Sequence, residues 1–308
     1  MSPSRILVLG SVNTDLVIRG PQLPAPGETV LGGEFYRAHG GKGANQAVAA
    51  ARASADRVTF IAAVGDDGFG RDATAHFAEE NLDTRYLKTV PEKPSGVALI
   101  LVDHRGENAI SVASGANMDL TPDDVDAVPD EVFKHAKVFL TCLESPLETV
   151  ARGLSRAKAA GLLTILNPAP ANEAICRDGL LALVDVLTPN EGEAAVLAGI
   201  ATSDRSGAVA AARKLQALGS RRCVITLGAN GCLVVDEEET WVEGCSVRAT
   251  DATAAGDAFN GALAVALAEG RPLVEAARRA NRAAAIAVTR PGAQPSLATR
   301  AEIESFAG

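Results

Sequence analysis

The chain has 308 residues, 47% hydrophobic and 22% charged, which is enough to bury a large core and unlike a disordered or fibrous composition. There are 29 basic and 38 acidic residues, a net charge of −9, and no basic tract matches a nucleic-acid backbone. No apolar stretch reaches the roughly 18 residues of a membrane helix. These features argue against nucleic-acid and membrane partners, and we expect Arg278, Arg279 and Arg282 to form a solvated helix face.

The cysteines and the N-terminal residues predict the compartment. Five cysteines are spread along the chain without a CxxC pair, which fits a reducing environment and implies neither structural zinc nor a disulfide framework. The first apolar run ends at Asn13 and Asp15, too early for a signal peptide. A cytoplasmic protein is therefore expected.

Short apolar, β-branched runs alternate with helical stretches along most of the chain, which predicts a doubly wound, mostly parallel sheet. The predicted strands cover 5–10, 58–65, 138–142, 162–167, 184–188 and 223–228, and a polar loop is expected at 11–15. Apolar residues three or four apart predict crossover helices over 147–157 and 208–218. The acidic run 236–239 is interpreted as a solvated hairpin turn.

Two stretches depart from this alternation. Residues 97–112 have the pattern of a hairpin around a polar turn, and 15–38 combine three prolines with a strand-like segment. We predict that they form a small β lid on a single α/β domain spanning 1–308.

The strongest candidate for chemistry is DATAAGDAFNG at 251–261. Neither GxxxxGK[ST] nor GxGxxG occurs, so a phosphate site must be built differently. Ala254, Ala255 and Gly256 lead into a helix predicted to run to about Glu269, whose free N–H groups could bind an anion. Asp257 in its first turn could accept a proton from a hydroxyl. Alternatively, Asp257 only favours the helix start by its charge.

Three other groups of residues are weaker candidates for a binding site when each is taken alone. Glycines at 40–43 would let a ligand approach the backbone, with Lys42, Asn45 and Gln46 as polar contacts, or they simply precede a helix. Asn13 and Asp15 follow the first strand and suit a sugar diol or an Asx turn. The acids of NEGE at 190–193 could hold hydrated Mg²⁺ or merely open a helix, and the non-helical segment 290–296 offers free carbonyls to a hard cation.

Taken in order, these motifs resemble the ribokinases, within the phosphofructokinase-B type of carbohydrate kinases. The resemblance covers nearly the whole chain. It is carried by GSVNTDLV at 10–17, PAPGETVLG at 24–32, GGKGANQAVAAAR at 40–52, VGDDGFG at 64–70, LESP at 143–146, NPAP at 167–170, TPNEGEA at 188–194, ITLGANG at 225–231, DATAAGDAFNGALA at 251–264 and AVTRPGAQPS at 287–296.

The resemblance implies a three-layer α/β sandwich with a β lid, a homodimer formed through the lids, and ATP-dependent phosphorylation of the 5-hydroxyl of D-ribose. It implies Asp257 as catalytic base, with an anion hole formed by Ala254, Ala255 and Gly256. The sugar-binding positions would be Asn13, Asp15, Gly41, Lys42, Asn45, Glu144 and Asp257. The ATP positions would be Asn190, Glu193, Thr226, Gly228, Gly231, Gly256 and Asn281, with Glu193 holding Mg²⁺ through water. The K⁺ positions would be Asp251, Thr253, Ala287, Arg290, Gly292 and Ser296.

The resemblance leaves alternatives open. Another sugar or a nucleoside, such as deoxyribose, fructose or adenosine, could be the substrate, and a non-catalytic sugar-binding regulator is a further possibility. Ala252 replaces a threonine common in the family and touches the cation positions. Ala254, where glycine is commoner, is the variant found in ribokinases and favours ribose.

Overall fold

The buried apolar runs assemble into one nine-stranded sheet in the computed structural model, which describes residues 5–177 and 179–306. Its order is β13-β12-β11-β10-β9-β8-β1-β4-β5. The strands are β1 (Ile6–Leu9), β4 (Val58–Gly65), β5 (Leu82–Val90), β8 (Val138–Thr141), β9 (Leu163–Leu166), β10 (Val186–Leu187), β11 (Arg222–Thr226), β12 (Cys232–Val235) and β13 (Glu239–Val242). β12 runs antiparallel to both β11 and β13, and the other described pairs of neighbouring strands are parallel, so the sheet is mostly parallel.

A second, four-stranded sheet is ordered β3-β2-β6-β7. It comprises β2 (Asn13–Arg19), β3 (Glu34–Gly40), β6 (Gly96–Val102) and β7 (Asn108–Ala113). Its strands come from the two segments expected to form a lid. The prediction of a loop over 11–15 is wrong from residue 13 onward. Asn13 begins β2 and pairs with Gly40 and with Gly96 on the two neighbouring strands.

Helices cover both faces of the large sheet: α1 (Lys42–Ala53), α2 (Gly68–Glu79), α3 (Pro122–Asp126), α4 (Asp130–His135), α5 (Leu147–Ala159), α6 (Glu191–Ala198), α7 (Arg205–Ala217), α8 (Ala255–Ala268), α9 (Leu273–Val288) and α10 (Arg300–Ser305). Side chains of β1 alternate between two apolar cores, with Ile6 and Val8 in one and Leu7 and Leu9 in the other. The first core also holds α1, α8 and α9, and the second holds α5 and α7. The predicted three-layer α/β fold is confirmed.

The two predicted crossover helices are confirmed as α5 and α7, and a turn at Asp236 joins β12 to β13 as expected. The run 184–188 forms only the two-residue strand β10. The strand β5 was not predicted, because LDTRYLKTV lies at the sheet edge and keeps polar residues on its exposed positions. The segment 290–296 is not wholly irregular, since Gln294–Ser296 forms one 3₁₀ turn.

The prediction of a solvated arginine face is wrong for Arg279. Arg278 and Arg282 are exposed, but Arg279 is 6% exposed and its Nη1 donates to Oε2 of Glu269 at 2.6 Å. Burial of a guanidinium requires such a partner. All five cysteines are free, and among the described residues no helix is both long and apolar enough to cross a membrane.

Candidate active site

The polar residues predicted from sequence lie at one edge of the large sheet, where its parallel strands end. Asn13 follows β1, Glu144 follows β8 and Asn190 follows β10. The helices α1, α6 and α8 begin beside them. This carboxyl edge is where open α/β sheets bind ligands, because strand ends and helix starts leave backbone groups free.

Helix α8 presents its amino end to this edge. Its N-cap Ala254 has φ 59°, in the left-handed region that favours glycine. A side chain on Gly256 would meet no atom within 4 Å, so space lies in front of this turn. A phosphate group could therefore reach the N–H groups of the first turn.

Asp257 is buried in that turn between two amide donors. Nδ2 of Asn45 donates to its Oδ2 at 3.0 Å, and Nε2 of Gln46 donates to its Oδ1 at 3.0 Å. Burial raises the pKa of Asp257, while the cation of Lys42 and the two amides act in the opposite direction. The carboxylate is thus poised to accept a proton, with its orientation set by α1.

The start of α1 lies against the end of β1 and against Glu144. Oε2 of Glu144 accepts the hydroxyl of Ser11 at 2.6 Å and the backbone N–H of Lys42 at 2.9 Å. Gly41 has φ 88°, and a Cβ on it would lie 2.7 Å from the backbone nitrogen of Asn13. Only glycine allows this approach, so the GGKG motif joins α1 to the small sheet.

Three acidic side chains and one lysine share this region. Asp15 is buried, and burial, followed by the charges of Glu144 and Asp257, raises its pKa to about 7. Burial opposes the charge of Lys42, but the Asp257 and Glu144 carboxylates outweigh it and raise the lysine pKa. Lys42 therefore remains a cation among carboxylates.

A cavity of about 400 Å³ borders this cluster, and of the seven predicted sugar residues two, Asn13 and Glu144, are part of its wall. Its wall also includes Asn117, whose amide accepts the N–H of Val12 and donates to Oδ1 of Asn13, each at 2.8 Å. A pentose-sized molecule has room in such a space, next to hydrogen-bonding groups from both sheets.

Apart from Gly256 in α8, the predicted nucleotide residues lie at the start of α6, at and after the end of β11, and in α9. Asn190 and Glu193 form a reciprocal capping box at the start of α6, so the helix-start interpretation of NEGE holds whatever else these residues do. Burial raises the pKa of Glu193, which also interacts electrostatically with Lys42 and Asp257. Asn190 forms a bridge with Thr226 at the end of β11.

The loop after β11 continues this nucleotide side. Gly228 and Gly231 have φ of 55° and 87° and form a tight turn, and Nδ2 of Asn281 donates to the carbonyl of Glu243 at 3.2 Å. A groove of about 510 Å³ borders the turn through Leu227, Ala229 and Asn230. None of the predicted ATP residues is among the residues that line this groove.

The six residues predicted for a monovalent cation belong to two adjoining segments. Oδ1 of Asp251 accepts the N–H and the hydroxyl of Thr253, and Oδ2 accepts the N–H of Gly292 at 2.8 Å. Arg290 pairs with Glu302, and the hydroxyl of Ser296 donates to the carbonyl of Ala293. Ala287 is buried in α9. Among the described residues no group of three or more His, Cys, Asp or Glu is placed to hold a metal ion.

The model of the pfkB family of carbohydrate kinases matches residues 3–300. The chain belongs to this family. It is 43% identical to the ribokinase of Haemophilus influenzae over 302 residues, which cover 98% of this chain and 97% of that protein. The deoxyribokinase of Salmonella typhi is 35% identical, with coverages of 98% and 97%.

Solved structures agree with this family assignment. The ribokinase from Giardia lamblia superposes with a TM-score of 0.90 at 32% identity, covering 98% of each chain. The Arabidopsis thaliana ribokinase complexed with ribose and ATP has a TM-score of 0.88 at 28% identity, covering 100% of both. The resemblance inferred from the motifs is confirmed.

Three buried amides of this pfkB kinase were absent from the residues predicted for the site. Asn117, Asn167 and Gln294 bond to Asn13, Gln46 and Asn45, respectively, which the sequence had singled out. Asn167 and Gln294 stand inside the motifs NPAP and RPGAQPS, but no role was assigned to them there. Asn117 lies in none of the motifs, so only the fold reveals its contact with Asn13.

Proposed function

We propose that this kinase transfers the γ-phosphate of ATP to the 5-hydroxyl of D-ribose. The observation that carries the proposal is Asp257, buried at the amino end of α8 and held by Asn45 and Gln46. There the carboxylate accepts the hydroxyl proton, while the anion hole of Ala254, Ala255 and Gly256 stabilises negative charge on the transferred phosphoryl group. The likeness to ribokinases over nearly the full length supports the reaction and the substrate.

The sugar lies between the two sheets in this proposal. Asn13 and Asp15 on β2 bind its vicinal diol, since a carboxylate and an amide accept and donate in pairs. Gly41, Lys42 and Asn45 contact it from the N-cap and first turn of α1, and Glu144 does so from beyond β8. Residues 15–38 and 97–112 act as the lid of one domain and exclude water when the sugar is bound.

ATP lies along Asn190, Thr226, Gly228, Gly231 and Asn281, with its γ-phosphate at Gly256. Magnesium is held through water by Glu193, whose partly buried carboxylate faces the same region as Lys42 and Asp257. Mg²⁺ retains several waters and takes few carboxylates, so a single acid fits it. Bound Mg²⁺ would neutralise charge developing on the phosphates.

The positions predicted for K⁺ suit a hard cation, because they bring together a carboxylate, hydroxyls and backbone carbonyls. Asp251 has its pKa lowered, since hydrogen bonds from Thr253 and Gly292 outweigh the effect of burial. The cation would add positive charge next to the anion hole. Asp251 itself links the turn before α8 to the 290–296 loop, through its hydrogen bonds with Thr253 and Gly292.

The protein is proposed to be a cytoplasmic homodimer that pairs through its lids. Residues directly opposite one another across the small sheet share a face, and Ile18 faces Phe35 and Leu101, as Leu16 faces Leu99. On this face Phe35 is 62% and Leu99 54% exposed. A second lid covering these side chains would bury them.

A 2-deoxyribose kinase is the second candidate, favoured by the 35% identity to a deoxyribokinase. The ribose kinase and the 2-deoxyribose kinase are distinguished by measuring kcat/KM for each sugar and identifying the phosphorylated product. We expect ribose to be preferred, and Asp15→Ala to narrow the preference, because an unmet buried polar group costs roughly 1 to 3 kcal/mol. Equal use of both sugars by the wild type would reject the ribose assignment.

A further inference from the structure

The side-chain amide of Asn45 belongs to a chain of hydrogen bonds that runs from Asp257 through Gln294 to His76 on α2. Its Nδ2 donates to Asp257, and its Oδ1 accepts from Nε2 of Gln294 at 3.2 Å. Oε1 of Gln294 is in turn 2.7 Å from Nε2 of His76. Since an amide oxygen only accepts, Nε2 of His76 carries the proton, and every group in the chain donates toward Asp257.

Gln294 selects which end of the Asn45 amide meets Asp257. Gln294 is 1% and Asn45 6% exposed, so neither side chain can readily exchange its partners for water. If the Asn45 amide rotated by half a turn, its oxygen would face the Asp257 carboxylate, and its NH₂ would face the NH₂ of Gln294. Such unmatched buried groups are costly, so one orientation dominates.

The backbone around Gln294 is anchored independently of this amide. Nη1 of Arg52 donates to the carbonyls of Gln294 and Leu297 at 2.7 and 3.0 Å. Replacing the Gln294 side chain therefore leaves its loop held in place. The side chain can be tested without removing the loop.

At the far end, the His76 ring is fixed between two elements. It belongs to α2 and stacks on His39 of β3, with ring centroids 4.1 Å apart and planes at 4°. Its Nε2 also lies 3.9 Å from Oε1 of Glu80, a carboxylate paired with Arg52. The plane of His76, and with it the donor offered to Gln294, is set by these contacts.

We propose that Gln294, oriented by His76, is a positioning residue for the phosphoryl transfer. It holds Asn45 so that the amide donates to Asp257, which stabilises the ionised carboxylate against the effect of burial. Gln294 and His76 take no part in the proposed sugar and ATP contacts. The inference rests on the proposed function, in which Asp257 is the base.

Gln294→Met tests this role, because methionine has a similar length, cannot donate to Asn45 and offers His76 only a weak acceptor. We expect kcat to fall roughly tenfold to 10²-fold, the scale expected for a misplaced catalytic group. KM for ATP should stay within about twofold, and the ratio of rates in K⁺ and Na⁺ should not change. The acidic limb of the kcat profile should move to higher pH, because ionised Asp257 loses support.

Gln294→Glu is the matched partner of that variant. Its carboxylate still accepts from His76 but cannot donate to Asn45, so Asn45 turns its nitrogen away from Asp257. The variant keeps the shape of Gln294 and should be at least as slow as Gln294→Met. A purely structural role predicts the reverse order, with the isosteric variant better.

His76→Phe removes the donor to Gln294 but keeps a ring against His39, so its loss of kcat should be smaller than that of Gln294→Met. This variant still tests the proposal if the buried Gln294 variants do not fold. Thr164→Val serves as control. It removes a buried hydroxyl that donates to the carbonyl of Leu183 near the amino-terminal end of β9, away from the carboxyl edge that carries the site. The control should lower the unfolding temperature but leave the pH profile unchanged.

Comparison with Asp257→Asn separates failure of this inference from failure of the proposed function. If Asp257→Asn retains wild-type turnover, the proposed function is wrong. If that variant is inactive but Gln294→Met and His76→Phe keep the wild-type kcat and pH profile, Gln294 is not a positioning residue. If Gln294→Met slows the Asp257→Asn enzyme as much as the wild type, Gln294 does not act through Asp257, and the inference is equally rejected.

Discussion

Asp15 shows how the surroundings of one residue set its chemistry. An exposed Asp has a pKa near 3.8, whereas burial and the neighbouring Glu144 and Asp257 raise that of Asp15 to about 7. The folded protein therefore binds a proton more tightly than the unfolded chain. The contribution of Asp15 to stability is fully present below about pH 4 and is lost as the pH rises through about 7.

This shift predicts a pH dependence of sugar use. In the free enzyme, kcat/KM for ribose should fall as the pH drops through about 7, because neutral Asp15 is a weaker acceptor for two hydroxyls. Asp15→Asn should lower kcat/KM and move the acidic limb of the kcat/KM profile to lower pH. Compared with the wild type, it should also raise the unfolding temperature at pH 8 relative to that at pH 5. The measurements are kcat/KM profiles and thermal unfolding without substrate.

Asp123→Asn is the control for this experiment, because Asp123 is an exposed carboxylate at the start of α3. It should leave both profiles unchanged. An Asp15→Asn enzyme with the wild-type limb would show that another group titrates there, and the sugar role of Asp15 would be rejected.

At the level of elements, the helix that carries Asp257 was predicted well and the small sheet less well. The sequence placed this helix between Ala254 and about Glu269, and α8 spans Ala255–Ala268. Its ends are local signals, a run of small residues at the start and a glycine after the end, so a short window suffices. Asn13–Arg19 became a strand only by pairing with segments about 20 and 80 residues away, which no local pattern reveals.

The same distinction holds for the site. Motif residues such as Lys42, Asn45 and Asp257 could be predicted because each motif carries its own glycines and polar groups. Their partner Asn117 could not be, since it lies in none of the motifs, and Asn167 begins the NPAP motif but carried no assigned role. The Asn190–Glu193 capping box shows the limit of motif interpretation, because one pattern serves helix capping whether or not it also binds nucleotide.

The turn before α8 predicts an effect of monovalent cations. Asp251 joins this turn to the 290–296 loop, so a cation bound there should order the anion hole. We expect K⁺ to raise kcat more than Na⁺ at equal ionic strength. In Asp251→Ala the two salts should give the same, lower rate.

Steady-state rates in KCl and NaCl, with choline chloride keeping the ionic strength constant, test this expectation. Equal stimulation of the wild type by K⁺ and Na⁺ would contradict a K⁺ site. It would also make Ala252, where a threonine is common in the family, a meaningful departure.

For the molecule as a whole, the two sheets differ in how they are covered. The nine-stranded sheet is enclosed by helices on both faces, whereas the four-stranded sheet leaves Ile18, Phe35 and Leu99 partly exposed on one face. Large exposed apolar side chains that share a face are typical of an interface. The four-stranded sheet, which we propose as the lid, is thus well suited to pairing with another copy.

Changing this face should separate the subunits. We expect the wild type to sediment as a dimer, and Phe35→Glu combined with Leu99→Glu to sediment as a monomer, because two buried charges per subunit would face each other. Val196→Glu, on an equally apolar and 50% exposed position of α6, should remain dimeric. A monomeric wild type, or a doubly substituted dimer, would contradict pairing through the lid.

The most direct test of the account is phosphorylation of ribose by the wild type and by Asp257→Asn, with the product identified by ³¹P NMR. The wild type should convert ribose and ATP to ribose 5-phosphate and ADP. Asp257→Asn should lose roughly 10²- to 10⁴-fold in kcat, the contribution of a general base, while its Kd for ATP stays close to that of the wild type. Failure of the wild type to form ribose 5-phosphate, or near wild-type turnover by Asp257→Asn, would contradict the central claim.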